Sequence, residues 1–137
     1  MKKMTISVGT LRFIARMEEQ SAPSTCKAFE RHIPFRNKII QARWSGEAAW
    51  IPLGTANFDI GFENHTRHPS PGEILLYPGG YSEAEILVPY GSVCFSSKVG
   101  QLAGNHFLTI IEGTELLTEL GRRVLWEGAQ DIIFDYA

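Results

Sequence analysis

The segment Met4–Met17, MTISVGTLRFIARM, carries two alternating runs separated by Gly9-Thr10. Met4, Ile6 and Val8 alternate with Thr5, Ser7 and Gly9. In the second run Leu11, Phe13, Ala15 and Met17 share one face, with Arg12 and Arg16 on the other. A period of two residues marks a strand with one buried face. Gly9-Thr10 fits a two-residue hairpin loop with glycine at its first central position. The chain therefore opens with a β-hairpin, and the same period returns downstream.

After the hairpin, Ser21 is placed to cap a helix whose first turn holds Pro23, where the missing N–H costs nothing. Cys26, Phe29 and Ile33 recur at helical spacing until Pro34, so a helix is expected over 22–33. From Asn37 the period is two again. Ile40, Ala42 and Trp44 point one way, and Ile39, Gln41 and Arg43 the other. Ser45-Gly46 reads as a turn and 47–51 as a strand ended by Pro52. Further strands are expected at 73–77, 84–90, 92–97, 105–111 and 131–136, with loops at 53–72 and 98–104. Leu116, Leu117, Leu120 and Val124 form the one-sided stripe of a second helix over 114–126, with Gly128 suited to its C-terminal cap. About eight strands, two helices and turn signals every 8–12 residues indicate a mainly β sandwich or closed barrel. Strands at both termini favour closure, which removes free edges.

Composition narrows the field. At 137 residues, 44% hydrophobic and 20% charged, the chain reads as one folded domain over 1–137 and not as a disordered one. A net charge of −2 argues against a general nucleic-acid or anionic-membrane binder. Residues 1–50 hold nine Lys/Arg against four acids and residues 51–137 four against eleven. The cations are scattered singly, so the halves neutralise each other rather than forming a patch. Two distant cysteines make no disulfide framework. No apolar run of eighteen residues exists, and Met1-Lys2-Lys3 is not followed by a signal-peptide core. A cytoplasmic protein with reduced thiols is expected.

The order of elements resembles that of cyclophilins, and three segments carry the likeness: Ser21–Cys26 with Phe29, the run Asn105–Leu117 with its Ile-Glu-Gly turn, and Arg43 near the place of the cyclophilin catalytic arginine. The closer likeness is through Ala42–Glu47, Glu63-Asn64, Pro71–Glu73, Tyr77-Pro78 and Gly104–Phe107. These motifs resemble a bacterial family of small cyclophilin-like proteins catalogued as a domain of unknown function. That resemblance implies a cyclophilin-like barrel and no established activity. It departs from active cyclophilins at Ala48 and Ile51, where an aromatic residue and a glutamine would be needed, so little prolyl isomerase activity is expected.

The chemistry that the residues offer is sparse. Arg43 presents a rigid donor fork suited to a carboxylate or carbonyl, and its neighbour Trp44 would face the opposite way on a strand. Glu63-Asn64-His65-Thr66-Arg67-His68 is the densest polar cluster. It lies in a proline-bounded loop, lacks helical metal-ligand spacing and is one ligand short of a closed zinc site. His106 lies on an apolar strand. No nucleophile elbow, phosphate loop or dinucleotide fingerprint is present, and Cys26 and Cys94 read as packing. Neither metal nor cofactor is expected. The candidate ligand-binding residues are Arg43, Trp44, Glu63, Asn64, Tyr77, Asn105 and His106. The leading expectation is a groove beside Arg43, flanked by the 53–72 and 98–104 loops, for a small anionic or carbonyl-bearing molecule or a short peptide, with catalysis undecided. The rivals are a peptidyl-prolyl isomerase and a structural subunit that forms a homo-oligomer through its barrel.

Overall fold

The opening hairpin forms as β1 (Lys3–Val8) and β2 (Leu11–Met17). Gly9 takes φ 57° at the turn, a left-handed value that glycine adopts at little cost. The computed structural model describes residues 2–137. Seven further strands of the main sheet are β3 (Phe35–Gln41), β4 (Gly46–Gly54), β5 (His65–Thr66), β6 (Glu73–Tyr77), β7 (Ala84–Val93), β10 (Gly104–Glu112) and β11 (Gln130–Tyr136). Between β7 and β10, β8 (Ser96–Ser97) and β9 (Gly100–Gln101) make a separate small hairpin. Helix α1 spans Pro23–Glu30, and α2 spans Leu117–Trp126 behind a 3-10 turn at Thr114–Leu116.

The sheet runs β2-β1-β11-β3-β4-β7-β6-β10, and β10 pairs back onto β2. Every pairing is antiparallel. The result is a closed eight-stranded barrel whose first and last strands are neighbours, Ile6 lying opposite Phe134. Inward residues of each strand make one core, including Ile6, Phe13, Ile39, Ile51, Ile86 and Phe134. The helices cover opposite ends. Phe29 of α1 packs on Phe35, Phe107 and Phe134 with ring centroids 5.2 Å away in each case. At the other end of β3, α2 presses Leu120 and Val124 into the core and brings Gly121 against the ring of Tyr90.

Several boundaries differ from the expectation. The N-cap of α1 is Ala22, without a side-chain bond, and Ser21 does not cap. Strand β3 ends at Gln41, so Arg43 and Trp44 lie in the bend after it and not on opposite faces of a strand. Strand β7 continues through Gly91 to Val93, and a side chain at 91 would run into Glu47. Its glycine thus reports a close approach instead of a turn, and Cys94 falls just beyond the strand, half-buried. Strand β4 likewise runs past Pro52 to Gly54.

Gly121 makes the packing of α2 testable. Alanine is the better helix former by about 0.8–1 kcal/mol, but its Cβ would overlap the Tyr90 ring. The Tyr90 hydroxyl donates to Gln41 Oε1 at 2.6 Å, so the ring is not free to swing away. Overpacking typically costs about 1–3 kcal/mol. Gly121→Ala is expected to lower the melting temperature despite its higher propensity, as followed by thermal denaturation of both proteins.

Candidate functional site

Outward-facing residues of β4, β6 and β7 do not all meet water. Ala48, Leu75, Tyr77 and Leu87 join Ala42, Phe95 and Leu102 in a second, smaller core on the outside of the barrel. The β8–β9 hairpin is its roof, fastened by Ser45 in the β3–β4 turn. Ser45 Oγ donates to the Ser96 carbonyl at 3.1 Å and accepts from the Ser96 N–H at 3.0 Å, and the Cys94 N–H donates to the Ser45 carbonyl at 3.0 Å.

Beside this roof lies a groove of about 540 Å³. Its floor is Ile40, Trp50 and Glu85, and its walls are the 42–45 turn, the 81–83 segment and the 96–99 end of the small hairpin. Tyr77 is buried beneath it, and its hydroxyl accepts from the N–H groups of Tyr81 at 3.0 Å and Ser82 at 3.1 Å. The Tyr81 hydroxyl in turn donates to the Val99 carbonyl at 3.0 Å, joining two walls. A neighbouring cavity lined by 54–57 and 78–80 shares Ser82 and Glu83 with the groove. The start of the 53–72 loop thus borders the region, while the rest of that loop lies elsewhere.

The candidate residues divide into two places. Arg43 and Trp44 line the groove, and Tyr77 supports it. Glu63, Asn64, Asn105 and His106 come together in a knot that ties the 61–68 segment to β10 and to the start of α1. Glu63 Oε1 accepts from the Thr25 N–H at 2.6 Å and the Thr25 hydroxyl at 2.8 Å. It satisfies a helix-start donor that no adjacent residue caps. Asn105 is fully buried. Its Oδ1 accepts from the Glu63 N–H at 3.1 Å, and its Nδ2 donates to Thr25 Oγ1 at 3.0 Å and to the Gly61 carbonyl at 2.9 Å. Asn64 Nδ2 donates to the His106 carbonyl at 2.9 Å, and the His106 ring meets Thr109 Oγ1 at 2.7 Å. These polar groups are occupied by the protein's own backbone and side chains.

Among the described residues no three His, Cys, Asp or Glu side chains gather as a metal site. Burial pushes the Cys26 thiol up to about 12, which makes it a packing residue and a poor nucleophile. Ala48 and Ile51 are both wholly buried.

Of the groove residues absent from the candidates, among them Trp50, Tyr81 and Lys98, Glu85 is the most unusual. Glu85 is 6% exposed, and among the described residues its carboxyl has no hydrogen-bond or ion-pair partner. No wholly enclosed polar side-chain atom lacks a partner, so the Glu85 oxygens open onto the groove. Burial, reinforced by the nearby Glu83 charge, pushes its carboxyl up to about 8, and it stays protonated at neutral pH. Glu83 itself accepts from the Gly54 N–H at 2.9 Å. Arg43 and Lys98 have no ion-pair partner among the described residues. With Glu85 neutral, the groove carries two free cations against one acid. The sequence signal for Glu85 is a single acid inside the apolar run AEILVPY, on the same side of β7 as Leu87.

A closed antiparallel barrel of this kind, plugged by two helices and grooved on its outer wall, defines the class. The chain belongs to the family described as protein of unknown function (DUF3830), whose profile matches residues 4–136. No curated protein matches it. Among solved structures it is similar to the hypothetical protein AF2241 from Archaeoglobus fulgidus, with a TM-score of 0.67 and 15% identity over 99% of this chain and 95% of that one. It is also similar to McbB, whose structure is in complex with tryptophan, with a TM-score of 0.67 and 15% identity over 96% of this chain. The match takes in 44% of the McbB chain. At such identities the likeness is one of fold. No helix is long and apolar enough to cross a membrane.

Two outcomes are expected from this geometry. Glu63→Ala removes the acceptor for two Thr25 donors and should cost roughly 1–3 kcal/mol, read as a lower midpoint in urea, while Glu63→Gln, which keeps an oxygen there, should recover most of it. Glu85 gives a pH signature. Between its ordinary value of 4.5 and its folded value of about 8, the folded protein keeps a proton that the unfolded chain has released. Stability therefore falls as pH rises through that window, by on the order of a few kcal/mol, and levels off above it. Urea midpoints at pH 5 and pH 8 should differ by more in the wild type than in Glu85→Gln.

Proposed function

We propose that the outer-wall groove binds a small molecule or short peptide that carries a carboxylate or carbonyl group on an apolar, flat body. The observation that carries this reading is the company the groove keeps. Of the eight large hydrophobic side chains left exposed among the described residues, four, Ile40, Trp44, Tyr81 and Val99, line it. Single exposed apolar residues are ordinary, but a cluster in a concavity with a few polar groups is the usual form of a ligand site. Arg43 and Lys98 supply cations that have no ion-pair partner among the described residues, and an arginine fork matches a carboxylate edge-on. Trp44, Trp50 and Tyr81 offer flat faces for the remainder of the ligand.

Phenylacetate and its neutral amide are suitable probes, followed by thermal shift and calorimetric titration. Phenylacetate is expected to stabilise the wild type and to bind better than the amide. An arginine–carboxylate pair contributes about 1.5–3 kcal/mol, so Arg43→Ala should weaken binding roughly 10- to 150-fold. Arg43→Lys should recover part of it, since a point charge cannot reproduce the fork. Arg43 is exposed, so the unliganded stability of these variants should stay within about 0.5 kcal/mol of wild type. Equal binding of phenylacetate to wild type and Arg43→Ala would overturn the reading.

A further inference from the structure

The floor of the groove contains a carboxyl that the fold gives no partner. Glu85 sits on β7 opposite Pro52 of β4 and Tyr77 of β6. Neither neighbour bonds to it among the described residues: Pro52 lacks an N–H, and the Tyr77 hydroxyl, which accepts from the Tyr81 and Ser82 N–H groups, makes no bond to Glu85. Most of the Glu85 side chain is shut away from water while its oxygens stay open to the groove, so the pairing that such groups nearly always find within the protein is left to the groove side. A leucine at this place would extend the outer apolar core through Leu87 without that cost.

We propose, building on the groove reading above, that Glu85 is the specificity residue of the site, donating a hydrogen bond from the groove floor to an acceptor oxygen of the ligand. The partner chemistry is a carboxylate or carbonyl oxygen that arrives without a proton of its own. At neutral pH the Glu85 carboxyl is a carboxylic acid and holds one O–H donor. An O–H to carboxylate bond is among the stronger hydrogen bonds. Arg43 and Lys98 on the walls then balance the ligand's charge. An ammonium ligand would need Glu85 ionised against its burial and against Glu83.

Proton loss from Glu85 turns the donor into a second anion beside Glu83, so binding should fail in alkaline solution. The charged and titratable groups that share its surroundings are few. The β3–β4 turn presents Arg43, the β6–β7 segment Tyr81 and Glu83, strand β6 the buried Tyr77, and the small hairpin Lys98. Strands β3 and β4 present only Ile40, Gln41, Trp50 and Pro52.

The test is the affinity of phenylacetate at pH 6.5 and pH 9.0 for wild type, Glu85→Gln and Glu85→Leu, with phenethylamine as the cationic counterpart. With the carboxyl titrating at about 8, one-tenth of the wild type remains competent at pH 9.0, so its affinity should fall roughly tenfold. Glu85→Gln keeps an uncharged N–H donor and should bind nearly equally at both pH values. Glu85→Leu removes the donor and should bind at least tenfold more weakly than wild type at pH 6.5 while remaining folded. Phenylacetate binding that needs Arg43 but is unchanged in Glu85→Leu overturns this assignment alone. Preferential binding of phenethylamine, lost in Glu85→Gln, would show instead that Glu85 acts as an anion. A wild type that binds no phenylacetate at pH 6.5 overturns the groove reading and this assignment together.

Discussion

The pairing of β10 with β2, Leu108 opposite Met17 and Ile110 opposite Ala15, turns a ribbon of strands into a barrel. Without that ladder, both strands would present unpaired N–H and C=O groups along an edge, a configuration that invites association with other chains. With it, each strand acquires an inside and an outside, and the alternation along the chain becomes a map of two environments. The inner set is filled by Phe13, Phe107, Phe134 and the aliphatic residues around them, and the two helices finish it at either end.

The outer set is where this barrel departs from a simple one-core protein. An outside face normally meets water, and here a short hairpin held by the hydroxyl of Ser45 shelters part of it. The shelter creates a dry layer around Phe95 and Leu87. Where that layer stops, a concavity remains, and its floor is made by β3, β4 and β7 while its walls are turns. Division of labour follows: the paired strands β7 and β4 fix the positions of Glu85 and Trp50, and the turns supply Arg43, Trp44, Tyr81 and Lys98. Polar residues that the protein uses for its own construction, Glu63 and Asn105 foremost, are at a separate knot around Thr25.

What could be read in the sequence was what depends on nearby residues. The hairpin at 4–17 was legible because its period and its Gly9 turn are local, and the second helix because its stripe is continuous. The first helix was placed within a residue of its start, but its capping was misread, because the acceptor is Glu63, 38 residues beyond Thr25. The facing of Arg43 and Trp44 was posed as an alternation on a strand, yet the chain leaves the sheet at Gln41, where long-range bonds from Ser45 take over. The break expected between 84–90 and 92–97 is absent, and Gly91 between them makes room for Glu47. Glu85 was hidden for a related reason. Alternation assigns it to the outside of β7, and only the packing of the 81–83 and 96–99 segments reveals that the outside is covered at that point.

The bond from the Tyr81 hydroxyl to the Val99 carbonyl has a mechanical side. It is the latch between two turns that are otherwise attached to different strands. A hydrogen bond of this kind contributes about 0.5–1.5 kcal/mol, and no ladder of the barrel depends on it. The floor, by contrast, is clamped between two neighbouring strands. The groove therefore joins walls tied to each other by one side-chain bond to a base held by whole ladders.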